Sequence, residues 1–341
     1  LLLGPGDDRA MFEELAATLD SGPRAPFHRS DIARQIRRIG TDADALLFFR
    51  APGDSDDWVA MTATRSERSL DFGFLVGMQS LAERANKVRP WSMATFDDLA
   101  KDAFAVVLDI NDPAQWDEVD RGQGALRLPL PPRFKALMSD RLALVVRPGK
   151  SGPVEFAVAF ETIDTEGIAE AGDQMLARVV QRVIGDKQLT QRVSDFDVMP
   201  ATAIRSVDVS QSIGSMESFG WKAGPHVSWQ TRRGEMCNPG QNAGWWTVGV
   251  GPDTVELLGK RLAADDRSDR RPSMPWISLG VIRPAAALEA LEQSGIPVDP
   301  IFDPLRGIDE LSWRAVEISS GTILGSGRFE LAEPASEEQA D

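Results

Sequence analysis

The stretch Val154-Glu155-Phe156-Ala157-Val158-Ala159-Phe160-Glu161-Thr162, running on into Ile163-Asp164-Thr165, decides the fold. Val154, Phe156, Val158, Phe160 and Thr162 share one face, and Glu155, Ala157, Ala159 and Glu161 the other, because strand side chains alternate. This period of two predicts a half-buried antiparallel strand. Its partner is Leu142 to Arg147 across the loop Pro148-Gly149-Lys150-Ser151-Gly152-Pro153. After Asp164-Thr165 the period changes. Ile168, Met175, Leu176, Val179 and Val183 fall on one face of a long helix whose orphan first-turn amides Asp or Thr can cap.

The same junction recurs. Val106 to Ile110 leads through Asp112-Pro113 into a helix with Trp116 and Val119, and Trp246 to Val250 leads through Pro252-Asp253 into one with Val255, Leu258 and Leu262. Ile277 to Ile282 leads through Arg283-Pro284 into a helix with Leu288 and Leu291, stopped by Gly295. Proline at the first helical position loses no needed donor. Asp253 with Glu256 has the form of a capping box. The chain ends on a second hairpin, Leu311 to Ile318 and Thr322 to Leu331, around Ser319-Ser320-Gly321.

Outside these units, Leu46 to Phe49 and Trp58 to Thr64 read as a strand pair across Pro52-Gly53-Asp54. Leu70, Phe74, Met78 and Leu81 stand at helical spacing and predict a helix. Two further helices are expected, over 8–21 (Met11, Phe12, Leu15, Leu19) and from Ser30 to Gly40 (Ile32, Ile36, Ile39), the latter with Arg34, Arg37 and Arg38 on a solvated outer face. The fold class expected is α+β: two similar lobes of antiparallel or mixed sheet, covered by helices on one face and built from repeated strand-turn-helix units. Boundaries fall at 1–25 (helix and linker), 26–195 and 196–333 (the lobes), and 334–341, an acidic disordered tail.

Composition narrows the chemistry. Over 341 residues, 52 acidic side chains against 37 basic ones give a net charge of −15, which disfavours nucleic acid and anionic membrane surfaces as partners. One cysteine, Cys237, rules out an intrachain disulfide and cysteine-rich metal sites. Two histidines, His28 and His226, rule out a three-histidine zinc site, and the absence of tyrosine removes phenol chemistry. Gly249-Val250-Gly251 lacks the third glycine of a dinucleotide loop and reads as turn chemistry. The carboxylate groups Asp54, Asp56, Asp57 and Asp265, Asp266, Asp269 miss the calcium-loop spacing; the second is interleaved with Arg267, Arg270 and Arg271. No catalytic residue, metal or cofactor is assigned. His226 and Ser228 share a strand face at about 7 Å, too far for proton transfer.

Nine tryptophans mark the remaining candidates, four of them between Trp221 and Trp246. Trp246 shares the core face with Val248 and Val250, so Trp245 lies on the other side with Thr247 and Gly249. Trp276 likewise faces away from Ile277, Leu279 and Val281. A buried tryptophan removes 150–250 Å² from water, worth about 4–6 kcal/mol. Either a second layer covers these rings, or Trp221, Trp245 and Trp276 form a contact surface for a partner.

Residues Arg141 to Pro148 followed by Val154 to Glu166, the strand Gly244 to Thr254, Ile308 to Trp313 and the hairpin strand Thr322 to Leu331 together resemble an uncharacterised bacterial extracytoplasmic family, over about residues 135 to 333. The resemblance implies a secreted or membrane-tethered protein of the cell envelope and supplies no active-site residues. Leu1-Leu2-Leu3-Gly4, without an initiator methionine, fits either the stub of a signal or anchor segment or a cloning or proteolytic boundary. The reading is a non-catalytic binding or assembly component of the envelope, acting through protein contacts or self-association. A cytoplasmic location is the alternative to an extracytoplasmic one. The alternatives in function are a carrier of a hydrophobic ligand and a hydrolase using His226 or a carboxylate pair.

Overall fold

Hairpins and meanders carry the chain into one sheet. The structure is a computed structural model that describes residues 2–3, 43–50, 58–77, 89–110, 131–150, 152–179, 203–209, 226–234, 242–265, 276–319 and 322–332. The strands are β1 (Leu2–Leu3), β2 (Ala45–Arg50), β3 (Trp58–Arg65), β4 (Ser69–Gly77), β5 (Ala105–Ile110), β6 (Met138–Pro148), β7 (Val154–Thr162), β8 (Arg205–Asp208), β9 (His226–Arg233), β10 (Gly244–Val250), β11 (Trp276–Ile282), β12 (Ile308–Ser319) and β13 (Thr322–Leu331). Helices are α1 (Met93–Ala100), α2 (Pro132–Leu137), α3 (Thr165–Val179), α4 (Pro252–Asp265) and α5 (Pro284–Gln293), with a 3-10 segment at Pro300–Gly307.

The strand order is β1-β2-β3-β4-β13-β12-β11-β5-β6-β7-β10-β9-β8. The short β1 runs parallel to β2, and the other pairings are antiparallel. Blocks of three or four strands from the two halves of the sequence therefore alternate across the sheet. β13 pairs with β4, β11 with β5, and β10 with β7. A cut near 195–200 does not separate two sheets, and the expected pair of lobes is replaced by interleaved blocks.

Both faces carry helices, against the expectation of one. Ala157, Ala159 and Trp245 on one face pack with Val255, Leu258 and Leu262 of α4 and with Leu99 and Ala100 of α1. Phe160, Trp229 and Trp246 on the other pack with Ile168, Ala171 and Leu176 of α3 and Phe134 of α2. The half-buried strand expected at β7 is thus covered twice at its centre. Its alanine face is the deeper one, because a side chain of one methyl lets a helix approach closely; Phe156, on the more apolar face, is 43% exposed at the strand's open end.

Local signals set the element ends. Asp164 Oδ1 accepts from Glu166 N at 3.1 Å and caps α3. Gly295 ends α5 at φ +77°, a backbone that glycine adopts without a Cβ penalty. The capping box at α4 does not form: Gly251, at φ +96°, precedes the helix, Asp253 ion-pairs with Lys150 at 2.6 Å, and Glu256 pairs with Lys260.

The helix expected from Leu70 to Leu81 is instead strand β4 up to Gly77. Leu70, Phe72, Phe74 and Val76 also alternate, and pairing with β3 and β13 selects that period. The helices expected over 8–21, 30–40 and around Trp116 lie outside the described residues. So do Trp221, His28, Cys237, the arginines and most carboxylates of the two acidic clusters, and the tail.

A repeated device fixes register on the β3–β4–β13–β12–β11 side. Trp58 lies opposite Gly77, Phe74 opposite Gly325, Phe72 opposite Gly327, and Trp313 opposite Gly280. In each pair the ring lies over the bare glycine backbone. A Cβ on Gly325 would fall 1.9 Å from Phe74, and one on Gly280 2.1 Å from Trp313.

Candidate functional site: an apolar hollow and a polar groove on the open half of the sheet

Beyond β11 the two faces of the sheet separate in character. The cross-strand row Leu279, Arg314, Ser326, Gly73, Thr62 continues the face that α4 covers, and here it turns polar. The neighbouring row Gly280, Trp313, Gly327, Phe72, Ala63 points to the opposite face, with Phe329, Leu70, Phe74 and Met61 in the rows beside it.

On that opposite face lies a hollow of about 580 Å³, lined by Leu47, Met61, Ala63, Leu70, Phe72, Phe74, Leu311, Trp313 and Phe329, with Ala45 and Thr62. Its aromatic wall is continuous: Phe72 is 5.4 Å from Phe329 and 6.4 Å from Phe74 between ring centroids. Rings that lie over Gly325, Gly327 and Gly280 leave space above them that no described residue fills, so the glycines shape the hollow. Leu70 at its rim is 38% exposed.

A polar relay lies beside it. Trp313 Nε1 donates to Ser278 Oγ at 3.1 Å, and Ser278 in turn hydrogen-bonds the Asp109 carboxyl. Burial pushes the Asp109 carboxyl above the usual carboxylate range, against the opposing effect of the Ile110 N–H, 2.8 Å from Oδ1. A carboxyl raised in the folded state holds its proton where the unfolded chain has lost it. Stability is then greatest at acid pH and falls as pH rises from about 3.9 through the raised value. Asp109→Asn removes that titration. It is expected to be more stable than the parent at pH 7, with the gap closing toward pH 4, as read by urea unfolding at both values.

The tryptophans singled out by sequence take different places. Trp245 is fully buried, and the layer over it is α4 with Trp91, 5.8 Å away. The fully buried Arg141 lies against both rings, its guanidinium 3.9 Å from the Trp91 ring and 5.1 Å from that of Trp245, and it bonds Glu161 at 3.2 Å. Trp245 is therefore not presented as a contact residue. Trp276 is half-buried, but on the side of Leu279 and Val281 and not away from them, because a register shift between Trp276 and Ser278 inserts an extra residue. Arg314 stands 5.7 Å over its ring. Trp245 and Trp276 flank one core cluster, and that cluster is not the hollow.

His226 opens β9, and Ser228 beside it hydrogen-bonds Ser206 at 2.9 Å. Among the described residues no hydrogen bond joins the His226 side chain to a serine or a carboxylate, and no group of three His, Cys, Asp or Glu could hold a metal ion. Asp173 of α3 is buried, but its partners are Arg205 and Trp229 Nε1 (2.7 Å), an ion pair that ties α3 to β8 and β9. No described helix is long and apolar enough to cross a membrane.

Sequence reading missed Phe72, Phe74, Trp313 and Phe329. The available signal was glycine inside strands, Gly280, Gly325 and Gly327, which marks close approach of a neighbour. Compared with known proteins, the chain matches no family model, no curated protein and no solved structure.

Proposed function

We propose that this chain works by binding, and that it takes an apolar group, a hydrocarbon chain or ring, in the hollow over β3, β4, β13 and β12. The observation that carries this reading is the hollow itself: about 580 Å³ with an almost entirely apolar lining on a rigid, glycine-registered sheet. Ligand sites have this size, roughly 300–1,000 Å³, and this concave, mainly aromatic and aliphatic character. Exposed apolar concavities on a sheet forfeit solvation free energy unless something fills them. A hydrolase built on His226 has no such support.

The test is a titration with the apolar fluorophore N-phenyl-1-naphthylamine. The parent chain is expected to bind it, and Ala63→Trp, which places a ring in the hollow, to bind at least tenfold more weakly. Equal binding by both proteins, or none by the parent, contradicts the reading.

A specific feature also favours the assembly role. The 3-10 segment displays Ile301 (74% exposed), Phe302 and Leu305. It is held by an Asp299 cap at 2.9 Å and by a two-pronged Arg306–Glu292 pair at 2.8 and 2.5 Å. Apolar side chains on a pre-ordered turn lose little entropy on docking. If they carry self-association, Phe302→Glu is expected to abolish a dimer seen by sedimentation while changing stability by no more than about 0.5 kcal/mol. We also place the chain in the bacterial envelope, on the resemblance of residues 135–333 to an extracytoplasmic family.

A further inference from the structure

The polar face of the same half-sheet holds a second concavity, a groove of about 590 Å³ walled by α1 and floored by β4, β13 and β12. Its charges are unevenly spent. Arg328 is engaged by two carboxylates, Asp71 at 2.6 and 3.3 Å and Glu330 at 3.8 Å, which leaves that end of the groove one negative charge in excess. Among the described residues, no carboxylate engages Arg314. Its guanidinium meets the Ser326 hydroxyl at 3.4 Å and the Trp276 ring at 5.7 Å. In a chain with 15 surplus negative charges, an exposed arginine left without a carboxylate inside a groove is a cation with donors to give.

The register places the two ends apart. Arg314 pairs with Ser326, Ser326 with Gly73, and Asp71 lies two residues along β4 from Gly73. Two strand spacings and two residues of rise separate the backbones by about 12 Å. An extended peptide of three residues spans about 10 Å. Met93, Phe96 and Leu279 line the groove near Arg314 and offer an apolar wall to a terminal side chain. A dianionic phosphate fits poorly, since one unpaired guanidinium faces it and two carboxylates repel it.

We propose that this groove binds a short zwitterionic peptide, its C-terminal carboxylate on Arg314 and its N-terminal ammonium at the Asp71–Glu330 end. The site lies on the face opposite the hollow and stands whether or not an apolar ligand binds there. The probe is Gly-Gly-Leu, titrated calorimetrically into the full chain beside its C-terminal amide and its N-acetyl form. Free Gly-Gly-Leu is expected to bind, and each capped form to bind at least about tenfold more weakly, the loss of one charge-assisted contact. Arg314→Gln, at an exposed position, is expected to keep the parent unfolding midpoint and to bind free and amidated peptide equally. No binding of Gly-Gly-Leu, equal binding of either capped form by the parent chain, or an undiminished preference in Arg314→Gln overturns the proposal.

Discussion

Replacing Asp173 with alanine is expected to cost about 3–5 kcal/mol of folding stability. Asp173 and Arg205 are each 5% exposed, and the carboxylate also accepts from the Trp229 indole. The pair joins α3 to β8 and β9 at one edge of the sheet. Removing the carboxylate takes an ion-pair partner from the buried Arg205 guanidinium and an acceptor from the Trp229 indole, and the share of the desolvation cost that this pair had offset is then uncompensated. The loss should appear as a lower urea midpoint with an unchanged slope, since the surface exposed on unfolding is the same. A change below about 1 kcal/mol would mean that water or the other contacts of Arg205 satisfy it when Asp173 is gone, and that the pair does not hold α3.

Trp245→Ala is expected to cost about 3–5 kcal/mol, in the range of large-to-small core substitutions. The indole is fully buried under α4, and its removal opens a cavity beside Arg141. That arginine then keeps the Trp91 face at 3.9 Å and the Glu161 bond, but loses its second aromatic wall. The same substitution at a surface anchor would change stability by no more than about 0.5 kcal/mol. Urea unfolding of Trp245→Ala therefore separates a core residue from a contact residue by several kcal/mol.

How much of this was legible in the sequence depends on whether the cause is local. The alternation in Val154 to Thr162, the two hairpins, the Asp164 cap and the Gly295 stop all follow from neighbours a few residues away, and each is found where the residues place it. The interleaving of sheet blocks is not local. β4 meets β13 across some 250 residues, and no periodicity encodes that partner. Leu70 and Phe74 satisfy helical and strand spacing alike, so pairing decides between them. That ambiguity hid the hollow, because a helix over 70–81 sends Phe72 and Phe74 to different sides, whereas strand β4 sets them on one wall. Trp276 was misplaced for a related reason: one bulge inverts the facing of every residue on one side of it. That Arg314 faces no described carboxylate is likewise set by partners distant in sequence, since its neighbours come from β11 and β13.

The apolar ligand proposed above is held on one side of the half-sheet. Two methionines report the sides separately, Met61 in the hollow and Met93 in the groove on the opposite face. With methionine methyls labelled with carbon-13, a titration with decanoic acid is expected to shift the Met61 resonance in a saturable way and leave Met93 in place. A Met61 signal that stays unmoved to the solubility limit of the acid would contradict the account.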